Sequence, residues 1–299
     1  MTPDGFPSVC AIVVTYGDGQ SVKRCVSSLR GSPDVSQIIV VNNKGDNAID
    51  ALCLQLGAEH IDPGANLGYG RGVNVGSRAV KASITHILVV NPDLVLVDLA
   101  PVLRALDRSG AAIATGCLRR KDGSVEPNTR RMASPTRELA CAVIGTRAYG
   151  SLAPDLDDVA EPVEQAAGSL LLVKTGAWDN LMGFDERFEL YYEDVDLCRR
   201  AGDQGGVVRI RTVVAEHFGG VSYRANRSQA YVALRVSRLR YLRKWYGVGG
   251  MALAFLLTFI EVITRGVTRQ AEGWHPRIDA VFAQALEIKS PGRVAALSR

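Results

Sequence analysis

The run Cys10–Gly19, CAIVVTYGDG, decides the fold. Val9 to Val14 is apolar without alternation, the mark of a strand buried on both faces, and it ends in the small polar turn Thr15-Tyr16-Gly17. A helical pattern over Val22–Leu29 follows, then a second apolar run, Ile38–Val41, which ends in Asn42-Asn43-Lys44-Gly45. Ile49–Leu56 reads as the next helix, with a short strand near His60 and Ile61. A third strong strand, Ile87–Val90, stops at Asn91-Pro92-Asp93, and Pro101 suits the first turn of a helix reaching about Arg108. Ala112–Leu118 reads as strand and Lys121-Asp122-Gly123 as a hairpin turn. Buried strands alternating with helices predict an α/β fold with a mostly parallel central sheet flanked by helices. In such sheets ligands bind beyond the carboxyl ends of the strands, where Thr15-Tyr16-Gly17, Asn42-Asn43 and Asn91-Pro92-Asp93 all fall.

Between the second and third strong strands lies N-L-G-Y-G-R-G-V-N-V-G, Asn66 to Gly76. Glycines at a helix start expose backbone amides to an anion, and Arg71 suits a diphosphate or a sugar hydroxyl. The spacing is not a dinucleotide fingerprint, because Val73 or Val75 stands where its third glycine belongs. Gly72 and Gly76 fit close helix packing equally well. Residues 128–164 change character, with Pro135, Pro154 and Pro162 and an acidic patch at Asp155, Asp157, Asp158, Glu161 and Glu164. They read as an insertion or cover on the acceptor side. Buried strand character returns over Gly168–Lys174, then over Val207–Ile210 and Val213–Glu216, followed by His217-Phe218-Gly219-Gly220.

The stretch Gly183–Arg200, GFDERFELYYEDVDLCRR, packs Asp185, Glu186, Glu189, Glu193 and Asp194 together with Phe188, Tyr191 and Tyr192, and Asp196 follows. Acids in a first helical turn are favoured by the helix dipole, which accounts for one of them. Crowded carboxylates among aromatics point further, to a catalytic carboxylate with a raised pKa.

The chain of 299 residues, 47% hydrophobic and 22% charged, is long enough for a substantial core. Its six cysteines form no C-x-x-C pair and read as buried free thiols. The N-terminus lacks the basic-then-apolar layout of a signal peptide, so a cytoplasmic location is expected. The net charge of +4 is uneven: no acid falls between His217 and Ile260, while Arg224, Arg227, Arg235, Arg238, Arg240, Arg243 and Lys244 do. No nucleic-acid reader motif accompanies them, and an anionic membrane surface or lipid diphosphate suits them better. Val248–Ile260 carries no charge but is shorter than the roughly 20 residues that span a bilayer, so core packing and an interfacial helix both remain open.

The ordered set from Thr15-Tyr16-Gly17 through Asn42-Asn43, the glycine-rich segment, Asn-Pro-Asp, Ala167-Gly168-Ser169, the acidic-aromatic stretch and His217-x-Gly-Gly resembles the inverting GT-A glycosyltransferases of family 2. More narrowly it resembles their rhamnosyltransferase branch, over about Val9 to Tyr246. The resemblance implies a GT-A catalytic domain over 1–225 and a helical C-terminal extension over 226–299 that meets the membrane and the acceptor. It implies transfer of L-rhamnose from dTDP-L-rhamnose to polyprenyl-diphospho-N-acetylglucosamine on the inner face of the plasma membrane, in arabinogalactan linker synthesis. A UDP-sugar or another lipid-linked acceptor is the alternative. Carried over by position, Thr15, Tyr16 and Gly17 line the nucleotide pocket, and Asn42 or Asn43 contacts the base. Many relatives have Asp where Asn42 stands, a departure that speaks against UDP. Asn66, Gly68, Arg71 and Asn74 approach the diphosphate and sugar. Asp93 matches the last acid of the acidic motif after the third strand, and Asn91 stands where its earlier acid belongs. Asp93 and His217 match ligands of Mn²⁺ or Mg²⁺. Asp194 matches the general base, with Glu193 beside it, and Gly168, Tyr191 and Tyr192 face the acceptor. The resemblance leaves the oligomeric state open, a homo-oligomer included.

Overall fold

The computed structural model describes residues 7–150, 159–219, 227–267 and 274–289. Contacts divide the chain into two units, one of 1–132, 151–185 and 194–221, the other of 133–150, 186–193 and 222–299.

The first unit is a twisted sheet. Its strands are β1 (Val9–Thr15), β2 (Val35–Asn42), β3 (Glu59–Ile61), β4 (His86–Val90), β5 (Leu94–Leu96), β6 (Ile113–Arg120), β7 (Val125–Glu126), β8 (Thr129–Arg130), β9 (Ala160–Val163), β10 (Gln165–Ala166), β11 (Leu170–Lys174) and β12 (Val207–His217). The order is β3-β2-β1-β4-β11-β6-β12-β5, with β7 on β6, β9 on β12 and β8 paired with β10 apart. β3, β2, β1 and β4 run parallel, β11 is antiparallel to β4 and β6, and β6 and β12 are parallel again. The carboxyl ends of β1, β2, β4, β6 and β12 therefore share one edge.

Period-two alternation sorts β1 between two cores. Val9, Ala11 and Val13 face one, which takes Val22, Cys25 and Leu29 of α1 (Gly19–Arg30), Ile49 and Cys53 of α2 (Asn47–Leu56), and Val102 and Leu106 of α4 (Ala100–Ser109). Cys10, Ile12 and Val14 face the other, with Val73 of α3 (Tyr69–Ser77), Trp178 and Leu181 of α6 (Thr175–Leu181), and Leu197 and Cys198 of α7 (Glu193–Ala201). Both faces are covered, which is why these strands carry no polar alternation. Gly76 lets α3 lie on β1: a Cβ there would stand 2.7 Å from Cγ2 of Ile12. All six cysteines are free thiols, five of them buried.

β12 is one strand where the sequence suggests two, because register shifts at Val213 let it continue through the polar interruption Arg211-Thr212. Residues 128–164, expected to form a single cover, divide instead. Thr129–Arg130 pairs with β10, α5 (Pro135–Ile144) belongs to the second unit, and Ala160–Val163 is an edge strand on β12. Asp155, Asp157, Asp158, Gly220 and Arg224 lie outside the described residues.

The second unit is helical. It contains α5, the segment 186–193, α8 (Arg227–Val267) and α9 (Trp274–Lys289). α8 is broken at Gly247, whose φ of 64° and ψ of −152° are not helical, between the basic run and the charge-free run. No described helix is long and apolar enough to cross a membrane.

The arginines of α8 are not a free cationic face. Glu261, just past the acid-free span, pairs with Arg235 at 2.7 Å and Arg238 at 3.2 Å, and Glu287 pairs with Arg240 at 2.9 Å. Buried Glu138 stands 3.6 Å from the same Arg238 Nη1 and accepts hydrogen bonds from Tyr149 at 2.5 Å and Tyr192 at 2.7 Å. Sequence distance hides this pairing, since Glu138 and Glu287 are remote from the helix they neutralise.

Candidate active site

At the end of β1, Thr15 is buried and its carbonyl accepts from the Asn43 amide at 2.9 Å. Tyr16 is exposed, and the Lys44 side chain lies over Gly17, so tightly that a Cβ there would meet it at 2.3 Å. Asn42 is fully buried and its amide closes its own loop, donating to the Asp46 carbonyl at 3.1 Å and accepting from the Lys44 amide at 3.2 Å. A carboxylate could not make the first of these bonds. The loop thus gives a structural reason for an asparagine there. Asn43 donates to the Gly68 carbonyl at 2.9 Å, and Asn66 accepts from the Gly68 amide at 3.0 Å. Together they hold Gly68 at a φ of 80°, open to glycine and strained for other residues, just before α3 begins. Arg71 is half-buried in the first turn of α3. Asn74, expected at the donor, has both ends of its amide on the Phe184 backbone, at 2.8 and 2.9 Å. Its role here is to dock the start of the acidic-aromatic stretch on α3. Thr15 Oγ1, Asn43 Oδ1 and Ser169 Oγ are buried without a hydrogen-bond partner among the described residues, a condition expected of groups kept for a ligand.

At the end of β4, Asn91 donates its backbone amide to Ser169 at 2.9 Å, and the Asp93 carbonyl accepts from the Phe218 amide, also at 2.9 Å. The second bond brings the end of β12 to Asp93. His217 Nε2 stands 3.3 Å from Asp93 Oδ2, and its Nδ1 stands 2.6 Å from Glu126 Oε2. Burial alone would lower the pKa of His217, but the hydrogen bonds and charges of Asp93 and Glu126 outweigh it and carry the imidazolium up to about 10. Among the described residues no three His, Cys, Asp or Glu gather as a metal cluster. Among the described residues a metal here could take one oxygen, from Asp93, and one nitrogen, from His217.

Asp194 lies in the first turn of α7. Its Oδ2 accepts from the Gly168 amide at 2.8 Å and its Oδ1 from the Val195 amide at 2.8 Å. Burial raises its carboxyl above the ordinary value, and the two amides only partly offset that. Gly168 is held from the other side by Tyr69, whose hydroxyl donates to its carbonyl at 2.7 Å. A Cβ at Gly168 would stand 3.3 Å from Cβ of Asp194, a tight contact that a glycine avoids. Asp196, fully buried, pairs with Arg200 at 2.8 Å, and Arg200 also donates to the Gly183 carbonyl at 2.9 Å. That gives Asp196 a structural role in holding Arg200.

Glu193, Tyr191 and Tyr192 belong to the helical unit. Tyr191 and Tyr192 are consecutive left-handed residues, with φ of 67° and 66°, at about 1–3 kcal/mol of strain each. Glu138 holds the Tyr192 hydroxyl, the Tyr241 ring lies 5.3 Å from that of Tyr192, and Ser237 donates to the Leu190 carbonyl at 2.8 Å. Three supporting residues go unread in the sequence: Tyr69 at Gly168 and Glu126 at His217 in the sheet unit, and Glu138 at Tyr192 in the helical unit. Only Tyr69 has a local signal, the aromatic set among the glycines.

The parallel strands thus present polar loops on one edge of the sheet, with a buried carboxylate at a helix start and an Asp–His pair at two strand ends. Residues 10–164 match the family model for glycosyl transferase family 2. The chain belongs to that family and is a glycosyltransferase. It is 35% identical over 220 residues to the N-acetylglucosaminyl-diphospho-decaprenol L-rhamnosyltransferase of Mycobacterium tuberculosis, covering 65% of this chain and 70% of that one. It is 26% identical over 250 residues to the rhamnosyltransferase WbbL of Escherichia coli, covering 79% of this chain and 93% of that one. The crystal structure of residues 1–349 of TarS from S. aureus superposes with a TM-score of 0.52 at 14% identity, covering 97% of this chain and 83% of that one, a likeness of fold.

Proposed function

We propose that the enzyme transfers L-rhamnose from dTDP-β-L-rhamnose, with inversion, to the N-acetylglucosamine of a polyprenyl-diphosphate acceptor. The rhamnosyl and polyprenyl parts of this reading rest on the mycobacterial relative. The observation that carries the mechanism is Asp194, a buried carboxylate of raised pKa oriented by the Gly168 amide. It takes the proton of the acceptor hydroxyl as that oxygen forms a bond to the anomeric carbon. The bond from that carbon to the phosphate oxygen breaks, and its electron pair leaves with the nucleoside diphosphate. One displacement inverts the anomeric centre and yields an α-L-rhamnoside. The glycine-rich turn before α3 and Arg71 receive the diphosphate, with Thr15, Tyr16 and Gly17 at the nucleoside.

Asp93 and His217 fit a divalent cation once Nε2 gives up the proton it shares with Asp93, because a hard oxygen and a ring nitrogen then converge at 3.3 Å and Glu126 holds the other ring nitrogen. Mn²⁺ or Mg²⁺ held there, its shell completed by diphosphate oxygens, would neutralise the leaving group. The site belongs to synthesis of the arabinogalactan linker on the inner face of the membrane. A UDP-sugar donor is the second reading, which the loop-bound Asn42 leaves open.

The test is transfer from dTDP-L-rhamnose to a short-chain polyprenyl-diphospho-N-acetylglucosamine, with either metal and with EDTA, and with dTDP and UDP compared as competitors. Metal-dependent product that dTDP inhibits better than UDP is expected. Stronger competition by UDP, with transfer from a UDP-sugar, would replace the donor.

A further inference from the structure

We propose that Glu126 is a positioning residue for the cation: through Nδ1 of His217 it fixes the ring so that Nε2 faces Asp93. This rests on the metal reading above and adds a third residue that touches neither metal nor substrate.

The hairpin explains how the residue reaches this place. Asp122 closes the turn by accepting from the Ser124 amide at 2.9 Å and its hydroxyl at 2.6 Å. The turn sets the register Leu118↔Glu126, while β12 pairs His217 with Arg120. Residues directly paired across strands share a face, and so do residues two apart along one strand. Leu118, Arg120, Glu126 and His217 therefore lie on one face, and the 2.6 Å contact between Glu126 and His217 follows. Arg120 approaches the same Glu126 oxygen at 3.8 Å, which keeps the carboxylate charged and turned toward the ring. Two carboxylates on opposite nitrogens leave the imidazole one orientation and one tautomer once a metal takes Nε2. A histidine ligand that donates its other N–H to a carboxylate is a stronger, better oriented donor, and loss of such a partner typically costs about 10–100-fold in metal affinity. The site needs this support more than a closed metal centre does, because the described residues offer no third ligand.

The competing explanation is a purely structural ion pair that staples the β7 end to β12. The two differ in what moves when Glu126 changes. A staple affects unfolding alone, whereas a positioning residue affects the metal.

The experiment measures Mn²⁺ binding by electron paramagnetic resonance in the presence of dTDP, on wild type, Glu126→Gln, Glu126→Ala, Glu126→Asp and Asp93→Asn, with thermal unfolding of each. Glu126→Ala should weaken Mn²⁺ by about 10–100-fold. Glu126→Gln, which keeps shape but not charge, should fall between Ala and wild type, and Glu126→Asp should partly restore binding. The dTDP affinity without metal should not move. Wild-type Mn²⁺ affinity in both Glu126→Ala and Glu126→Gln, with Asp93→Asn weakened, would overturn the role of Glu126 and leave the metal site intact. Wild-type affinity in Asp93→Asn as well would remove the metal site and the positioning role together.

Discussion

Asp194 is held in a state the fold disfavours. Burial raises its carboxyl, yet the proposed base must be ionised to accept a proton. Two consequences follow for Asp194→Asn. Turnover should fall by about 10²–10⁴, the usual worth of a positioned base, while dTDP binding stays near wild type. A group whose folded pKa is raised stabilises the fold only where it is protonated, below its unfolded value, and that contribution is lost as pH rises through the folded pKa. Asp194→Asn lacks the titrating group but turns an amide N–H toward one of the two backbone donors, so its stability should lose the wild type's pH dependence without gaining on it at neutral pH. The same sign places the acid limb of the kcat/KM profile above the ordinary range for an aspartate. A variant that kept its turnover, or an acid limb at the ordinary carboxylate value, would take the base role from Asp194.

At the scale of elements, legibility follows length and burial. β1, β2 and β4 are plain in the sequence because both faces are covered, which makes each an unbroken apolar run. β5, β7, β8 and β10, of two or three residues, are too short to show any period, and one of them carries Glu126. Asp93, Asp194 and His217 stand at element ends, where motifs are readable. The supports of Asp194 and His217, Tyr69 through Gly168 and Glu126 directly, are joined to them by pairing that only the folded chain supplies. The α8 network makes the same point with a measurable consequence. Desolvation pushes the Glu261 carboxyl up, but Arg235 and Arg238 outweigh it and hold it below the ordinary value of 4.5. A lowered carboxylate stabilises above its unfolded pKa and loses that contribution as pH falls through the folded one. The helical unit should therefore weaken as pH drops below about 4.5. Glu261→Gln should flatten that acid dependence and cost on the order of 3 kcal/mol at neutral pH, because two arginines lose their shared partner. Urea unfolding followed at pH 7 and at acid pH checks both. Equal acid sensitivity in the variant would place the titrating group elsewhere.

At the scale of the whole molecule, the basic tail and the apolar run have to be weighed afresh as means of meeting a lipid-linked acceptor. Arg235, Arg238 and Arg240 are matched by Glu261, Glu138 and Glu287, so their charge is largely spent inside the helical unit. The helical unit instead exposes large apolar side chains: Val143, 84% exposed, and Ile144 on α5, Val248 and Phe259 on α8, and Phe282 on α9. Single apolar side chains on a surface are ordinary, but several on the helices of one unit are what an interfacial helix requires. If the enzyme reaches its acceptor at the membrane, apolar insertion and not charge should dominate the binding. Flotation with anionic liposomes should then show wild-type binding that survives high salt, since screening acts mainly on exposed charges. Arg243→Ala with Lys244→Ala should lose little, and Val248→Asp with Phe259→Asp should lose most of it, with transfer to a water-soluble short-chain acceptor unchanged in both. Binding abolished by salt would return the weight to the charges. No binding by the wild type at any salt would mean that the acceptor is met away from a lipid surface, with those side chains covered by another protein.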